Sequence, residues 1–220
     1  MIVEIDNIEL DFDNKKILHG VYLKAETGTV TGILGRNGSG KTSLLRILFG
    51  SLNSKYKNIR INNAHQKKEL YKSNTIAYLP QHQLLPNSMK LKNAFKLFEV
   101  KWDDFILLFD SFKKHYTSRV SEISSGELRV IETYLILFSG KEIILLDEPF
   151  SFIAPLYIEK FKQLIEEKKL ESAIIITDHF YSDILDISKN VYFIKNGSSK
   201  LIASKQDLEN EGYINLNEQR

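Results

Sequence analysis

Hydrophobic and polar residues alternate near the start of the chain, and this alternation then gives way to uninterrupted apolar runs. Residues 2–10 and 17–24 alternate around the polar tetrapeptide DNKK, which predicts a β-hairpin at a sheet edge. The later runs are short and are separated by segments with helical spacing. They comprise residues 29–34, 76–79, 142–147, 173–177 and 191–195. Apolar strands that alternate with helices predict a parallel sheet covered on both faces.

The strand pattern is absent between Pro86 and Ser139. Three stretches there have helical spacing, namely LKNAFKLFEV, WDDFILLFDSF and GELRVIETYLILF. We therefore predict one domain, residues 1–220, in which a helical subdomain (86–139) is inserted into an α/β core (1–85 and 140–220). The last fifteen residues, QDLENEGYINLNEQR, are polar and are expected to fray.

Composition restricts the partners that the chain can have. The 220 residues contain 30 Lys and Arg and 28 Asp and Glu, so the net charge of +2 predicts neither direct nucleic-acid binding nor attraction to an anionic membrane. In the most basic stretch, residues 55–72, basic residues alternate with polar and apolar ones, as in a half-exposed strand or hairpin. Cysteine is absent, which excludes a disulfide framework and a thiolate metal site and favours the cytoplasm.

No segment of the sequence predicts secretion or insertion into a membrane. The N-terminal sequence MIVEIDNIELDFDNKK lacks the basic region and apolar run of a secretory signal. No stretch approaches the roughly 18 consecutive apolar residues that a spanning helix needs. A role at a membrane would therefore require a partner that supplies the span.

A glycine-rich loop follows the predicted strand at residues 29–34. The sequence GRNGSGKT fits the pattern G-x-x-x-x-G-K-[ST], between a strand and a helix, which is typical of a phosphate-binding loop. Its glycines, Gly35, Gly38 and Gly40, are expected to let backbone N–H groups point at a β-phosphate. Lys41 is expected to reach the β- and γ-phosphates, and the Thr42 hydroxyl is expected to bind a Mg²⁺ ion.

Polar side chains follow three of the other apolar strands. Asp147 and Glu148 end the strand EIILLD, Gln81 follows IAYLP, and His179 follows IIITD. Ligands of open α/β sheets bind at the carboxyl ends of strands, so these side chains are expected to form one site. Asp147 would bind Mg²⁺, and Glu148 would orient or deprotonate the attacking water. Gln81 would bind Mg²⁺ or that water, and His179 would donate to a γ-phosphate oxygen.

With these motifs in this order, the chain resembles the nucleotide-binding subunit of ATP-binding cassette (ABC) transporters over nearly its whole length. GRNGSGKT resembles the Walker A motif, Gln81 the Q-loop, IILLDE the Walker B motif with its catalytic glutamate, and ITDH the switch histidine. The resemblance implies an α/β P-loop NTPase fold with a mixed sheet, an antiparallel β edge and an inserted helical subdomain. It implies that ATP and Mg²⁺ are bound, and that hydrolysis drives the opening of a dimer closed by ATP.

The resemblance also implies which residues hold the nucleotide. Phe12 matches the aromatic on which the family stacks adenine, although an edge-strand core residue is an equal alternative. The implied ATP-binding set is Phe12, Gly35, Asn37, Gly38, Ser39, Gly40, Lys41, Thr42, Ser43, Ser124 and Gly126. The implied Mg²⁺ ligands are Thr42, Gln81 and Asp147, and the implied catalytic residues are Glu148, His179 and Gln81.

The stretch SEISSGELRV reads first as a helix start, with Ser124 as cap and Glu127 at the positive dipole end. In the family, L-S-G-G-Q occupies this position and completes the phosphate site of a second subunit packed head to tail. Ser124 and Gly126 match that motif, so the stretch is expected to be both cap and clamp. Ser125 replaces a glycine and Glu127 a glutamine, which predicts a weakened clamp. In the segment PFSFIAP, which follows the Walker B-like motif, Ala154 occupies the position of an aspartate that in the family helps to couple the two ATP sites.

The resemblance implies an integral membrane subunit as partner, bound in the groove near Gln81 and residues 82–100 at the cytoplasmic face of the membrane. It also implies pairing with a second copy or with a different cassette. The alternatives are a soluble ABC ATPase acting on ribosomes or DNA, and a regulatory ATP-binding module. A single cassette with a short helical insert argues against the soluble ATPase. The regulatory module is disfavoured by the intact site residues Lys41, Asp147, Glu148 and His179. The transported substrate and its direction stay open.

Overall fold

The computed structural model describes residues 1–13 and 15–214. Within these residues, ten strands and seven α-helices follow one another. The strands are β1 (Ile2–Phe12), β2 (Lys15–Glu26), β3 (Val30–Leu34), β4 (Tyr56–Ile61), β5 (Ala64–His65), β6 (Ile76–Leu79), β7 (Ile143–Asp147), β8 (Ala173–Thr177), β9 (Asn190–Lys195) and β10 (Ser198–Ile202). The helices are α1 (Lys41–Phe49), α2 (Leu91–Leu97), α3 (Trp102–Leu108), α4 (Ser125–Leu137), α5 (Pro155–Lys168), α6 (Tyr181–Ile187) and α7 (Lys205–Asn210).

The first sheet is antiparallel and has four strands in the order β2-β1-β4-β5. On β1, Val3 pairs with Ala25 of β2 on one side and with Ile61 of β4 on the other. The predicted hairpin is confirmed: β1 continues two residues beyond the predicted end, and β2 begins and ends two residues beyond the predicted range. Asn14 lies outside the described residues. The basic stretch after Lys55 contains β4 and β5, which confirms its interpretation as a hairpin.

The second sheet has six strands in the order β10-β9-β3-β8-β7-β6. Strands β9, β3, β8, β7 and β6 are parallel neighbours, and β10 pairs antiparallel with β9 at one edge. Every residue of β3, β7 and β8 is buried, as expected for strands that are covered on both faces. Asp147 pairs with Thr177, and Ile33 of β3 pairs with the same threonine, so three carboxyl ends meet at one edge.

The segment between β6 and β7 contains α2, α3 and α4, as its helical spacing predicts. Aromatic side chains form the centre of this segment: the ring centroid of Phe105 lies 4.9 Å from that of Tyr134 and 5.2 Å from that of Phe95. The same buried apolar cluster continues to Ile144 and Ile174 in the parallel sheet. The division into a helical subdomain and a core therefore stays a prediction, since both share one hydrophobic core.

The expected fraying of the C-terminal residues does not hold for residues 206–210. They belong to α7, whose N-cap Ser204 accepts a hydrogen bond from the backbone N–H of Asp207 at 3.3 Å. Residues 215–220 lie outside the described residues.

Across the part of the chain that is described, no helix has the length and apolar character required to cross a membrane.

Candidate functional site

The glycine-rich loop connects β3 to α1 at the carboxyl edge of the parallel sheet. A Cβ atom on Gly35 would lie 2.7 Å from the carbonyl oxygen of Ile194, and one on Gly40 would lie 2.6 Å from Cδ2 of Leu18. Gly40 also has a φ of 101°, in the left-handed region. The loop therefore requires glycine at these two positions because of close neighbours and backbone conformation. The prediction of a strand, loop and helix in this order is confirmed.

Lys41, the first residue of α1, is buried within this loop. Its Nζ donates hydrogen bonds to the carbonyl oxygens of Gly35 at 2.8 Å and Arg36 at 3.4 Å. Burial lowers the pKa of Lys41, and the carboxylates of Glu148 and Asp147 oppose that shift. The loop thus holds a cation at its centre, enclosed by backbone dipoles and close to two acids.

Asp147 is the last residue of β7 and is completely buried. Its Oδ1 accepts hydrogen bonds from the hydroxyls of Thr42 at 3.2 Å and Thr177 at 2.8 Å. Its Oδ2 accepts from the hydroxyl of Tyr78 at 3.0 Å. Burial and the nearby charge of Asp147 raise the pKa of Tyr78, which keeps the phenol protonated as a donor. Thr42 and Asp147 are together as the sequence predicts, whereas sequence reasoning missed Tyr78 and Thr177.

Glu148, the next residue, has a carboxylate held from two sides. Its Oε2 accepts a hydrogen bond from Nε2 of Gln81 at 2.9 Å, and its Oε1 lies 2.8 Å from Nε2 of His179. The backbone of Glu148 has a φ of 55°, which is uncommon for a non-glycine residue, and its N–H donates to the carbonyl oxygen of Thr177 at 2.8 Å. Of the three residues predicted to act in catalysis, Gln81 and His179 therefore each lie within hydrogen-bond distance of Glu148.

A cavity of about 500 Å³ lies between the glycine-rich loop and these side chains. It is lined by Phe12, Ile17, Asn37, Gly38, Ser39, Gly40, Lys41, Thr42, Ser43, Gln81, Glu148 and His179. Phe12 ends β1 and is 47% exposed, so it is not a core residue of an edge strand. Ser124 and Gly126 do not line this cavity.

The start of α4 is the helix cap that its sequence predicts. Ser124 Oγ accepts a hydrogen bond from the backbone N–H of Glu127 at 3.4 Å and donates to the Glu127 carboxylate at 2.6 Å. The Ser124 hydroxyl lowers the pKa of Glu127 and so keeps it ionised. A Cβ atom on Gly126 would lie 2.6 Å from the carbonyl oxygen of Phe152. Within one chain, therefore, the cap and close backbone packing already account for these residue types.

Three buried charged residues next to the site were missed by sequence reasoning. Asp178 accepts hydrogen bonds from the backbone N–H groups of Phe150 at 3.0 Å and Phe180 at 3.2 Å, and burial raises the pKa of its carboxyl. Arg129 and Glu132 on α4 also bond to backbone groups near Gln81 and Glu148. The only signal for the latter two was a charge within the apolar helical stretch LRVIETYLIL.

A strand, a glycine-rich loop with a buried lysine, and acids at the next strand ends define the class of P-loop nucleotide-binding proteins. The family model described as ABC transporter matches residues 18–151 of this chain. The zinc import ATP-binding protein ZnuC of Anaplasma phagocytophilum is 30% identical over 199 residues, which is 86% of this chain and 78% of that protein. The lipopolysaccharide export system ATP-binding protein LptB of Haemophilus influenzae is 25% identical over 92% of this chain and 90% of that protein.

A solved structure agrees with these relatives. An ATP-binding subunit of an ABC transporter has a TM-score of 0.82 at 17% identity, over 99% of this chain and 97% of that chain, which shows the same fold. The chain therefore belongs to the ABC transporter family. Its function is that of an ATP-binding, ATP-hydrolysing subunit that powers transport. The relatives are transporter components, so the alternatives of a ribosome- or DNA-acting ATPase and of a regulatory module are not favoured.

Proposed function

We propose that ATP binds in the cavity of about 500 Å³ and is hydrolysed there with Glu148 as the base. The observation that carries this proposal is the position of the Glu148 carboxylate, 2.9 Å from the Gln81 amide and 2.8 Å from the His179 ring, at the cavity that also contains Lys41. A buried carboxylate with two polar neighbours and a phosphate-binding loop is the arrangement that water activation requires.

Binding of the triphosphate uses the loop and its surroundings. Lys41 exchanges its carbonyl partners for β- and γ-phosphate oxygens, and the N–H groups at the start of α1 bind the same anion. The hydroxyl of Ser39 is buried without a hydrogen-bond partner, so it offers the phosphates a further donor. Asn37, Gly38 and Ser43 line the cavity with it, and exposed Phe12 stacks on the adenine.

The residues at the Asp147 carboxylate fit a Mg²⁺ ion. The Thr42 hydroxyl and Asp147 Oδ1 are hard oxygen donors only 3.2 Å apart, and we assign the amide oxygen of Gln81 as the third protein ligand. No group of three or more His, Cys, Asp or Glu side chains that could hold a metal occurs among the described residues, and a Mg²⁺ site completed by phosphates and waters needs none. When bound, the ion neutralises phosphate charge during transfer.

Hydrolysis is an in-line attack of water on the γ-phosphorus. Glu148 accepts the proton of the attacking water while the bond from the γ-phosphorus to the β–γ bridging oxygen breaks, which gives ADP and phosphate. Gln81 orients the water, and His179 donates a hydrogen bond to a γ-phosphate oxygen as charge accumulates there. His179 and Glu148 contact each other at 2.8 Å and both line the cavity.

The complete site requires a second cassette. Ser124 and Gly126 lie outside the cavity of their own chain, so their proposed contact with γ-phosphate occurs in a head-to-tail pair, formed with a second copy or with a different cassette. ATP closes this pair, and loss of phosphate opens it. We also propose the division into a core (1–85, 140–220) and a helical subdomain (86–139), which lets the clamp move relative to the loop.

We propose that the motor acts on an integral membrane subunit at the cytoplasmic face of the membrane, bound near Gln81 and residues 82–100. The names of the relatives support such a partner, since one serves zinc import and another lipopolysaccharide export. Affinity purification of the tagged chain from detergent-solubilised cells, with an untagged strain as control, tests this. A stoichiometric polytopic membrane protein is the expected result, whereas recovery of ribosomal or DNA-bound proteins alone would contradict it.

A further inference from the structure

Helix α4 carries two charged side chains within its buried, apolar part. Arg129 is 6% exposed and Glu132 is 1% exposed, and they lie one turn apart. Arg129 makes hydrogen bonds to the backbone of both segments that contain the catalytic residues, and Glu132 to the backbone of the segment that contains Gln81. A buried charge is costly, and apolar residues of similar size often give equal or greater stability. These two side chains therefore call for an explanation other than stability.

The Arg129 guanidinium joins two segments of the site. Its Nη1 donates to the carbonyl oxygen of Pro80 at 2.7 Å, directly before Gln81. Its Nη2 donates to the carbonyl oxygen of Asp147 and, at 3.0 Å, to that of Glu148. One rigid, planar group thus holds the residue before Gln81 and the backbone that carries the base. It also holds Glu148 at its uncommon φ of 55°.

Glu132 holds the same loop on the other side of Gln81. Its Oε1 accepts hydrogen bonds from the backbone N–H groups of Leu84 and Leu85, each at 2.8 Å. Burial raises the pKa of Glu132, while these two donors lower it, as expected for a carboxylate that is desolvated but hydrogen-bonded. The segment from Pro80 to Leu85 is therefore fixed to α4 at both ends, with Gln81 between the two anchors.

We propose that Arg129 and Glu132 are positioning residues that fix Gln81 and Glu148 relative to α4. Ser124 is the N-cap of this helix, so the two anchors set the positions of the water-orienting amide and of the base relative to the clamp residue. Hydrolysis is thereby linked to the position of the clamp helix. This inference rests on the proposed function, because it assigns a role in placing the residues that hydrolyse ATP.

The test compares substitutions that remove the anchors with substitutions that keep part of them. Arg129→Met removes all the donors, and Arg129→Lys keeps the charge but loses the planar fork. Glu132→Met removes the acceptor, whereas Glu132→Gln retains an oxygen that can accept from both N–H groups. The control is Thr133→Val on the same helix, since the Thr133 hydroxyl is buried without a hydrogen-bond partner.

Steady-state hydrolysis and ATP binding are measured for each full-length variant. We expect kcat to fall by about tenfold to hundredfold in Arg129→Met, Arg129→Lys and Glu132→Met, because displacement of reacting groups by up to about 1 Å has effects of this size. The dissociation constant of ATP should stay within about twofold, since the phosphate-binding loop is untouched. Glu132→Gln and Thr133→Val should keep wild-type kcat. Amide hydrogen exchange at Leu84 and Leu85 should accelerate by about tenfold in Glu132→Met but not in Glu132→Gln.

Wild-type kcat in both methionine variants would overturn the inference, as would equal losses in Glu132→Gln and Glu132→Met. If Arg129→Met fails to fold, the two Glu132 variants decide the question. Glu148→Gln is measured in parallel to separate this failure from that of the proposed function. Equal turnover of wild type and Glu148→Gln would refute the role of the base itself, whereas loss in Glu148→Gln with normal Arg129 and Glu132 variants refutes only the positioning role.

Discussion

Helix α5 lacks a side-chain cap at its N-terminus, unlike α4 and α7, and a capping residue introduced there should stabilise the protein. Its N-cap is Ala154, which is exposed and extended, with a φ of −68° and a ψ of 146°. No side chain caps the helix, and no acidic residue occurs in its first turn. The backbone at Ala154 thus already has the conformation in which an aspartate accepts hydrogen bonds from the first turn. Ala154→Asp should therefore stabilise the protein without rearranging it.

The expected gain follows from the energetics of caps. Replacing alanine by aspartate at an N-cap contributes about 1 kcal/mol, to which the charge at the positive end of the helix dipole adds about 0.3 kcal/mol. In a chain of 220 residues, a gain of this size raises Tm by about 2–5 °C. The gain should disappear as the pH falls, because a capping carboxylate has a lowered pKa when folded and stabilises only while ionised.

The assay is thermal unfolding of Ala154→Asp, Ala154→Asn and Ala154→Leu beside the wild type. The asparagine variant caps without charge, so it should give most of the gain at pH 7 and keep it in acid. The leucine variant has no capping group and should show no rise in Tm. Unchanged Tm in both the aspartate and the asparagine variants would refute the reasoning from the N-cap geometry.

Three further substitutions test individual contacts. Gly126→Ala should lower stability by about 1–3 kcal/mol in thermal unfolding, because its Cβ would lie 2.6 Å from the Phe152 carbonyl oxygen; wild-type stability would contradict this contact. Tyr78→Phe removes a donor to Asp147 and should weaken ATP binding by about tenfold with Mg²⁺ but not without it. Ser124→Arg should abolish hydrolysis and leave ATP binding to the monomer intact, and full activity would refute the clamp across two chains.

The sequence predicts those parts of the fold that are determined by residue patterns within one short segment. Apolar runs predict the strands of the parallel sheet because both faces of that sheet are covered, and the glycine-rich loop is recognisable because phosphate binding restricts its residue types. The polar residues at strand ends could be grouped because parallel strands end at one edge. The ABC fold and the ATPase function followed from these motifs and were confirmed.

The residues that sequence reasoning missed depend on contacts between distant segments. Thr177 meets Asp147 through the register of two strands, and Tyr78 reaches the same carboxylate from a third. Arg129 and Glu132 bond to backbone carbonyl and amide groups, which every residue has, so no sequence pattern identifies their partners. The polar C-terminal stretch was misjudged because a short capped helix can dock with few apolar residues, of which Leu208 is buried.

Turnover of Glu148→Gln tests most directly whether this chain hydrolyses ATP with Glu148 as the base. The substitution keeps the shape of the side chain and removes its basicity. The matched control is Glu142→Gln, because Glu142 is exposed and lies directly before β7, the strand that ends next to Glu148. We predict that Glu148→Gln lowers turnover by at least about a hundredfold with ATP affinity unchanged, while the control keeps wild-type turnover. Near-normal turnover of Glu148→Gln would contradict the account.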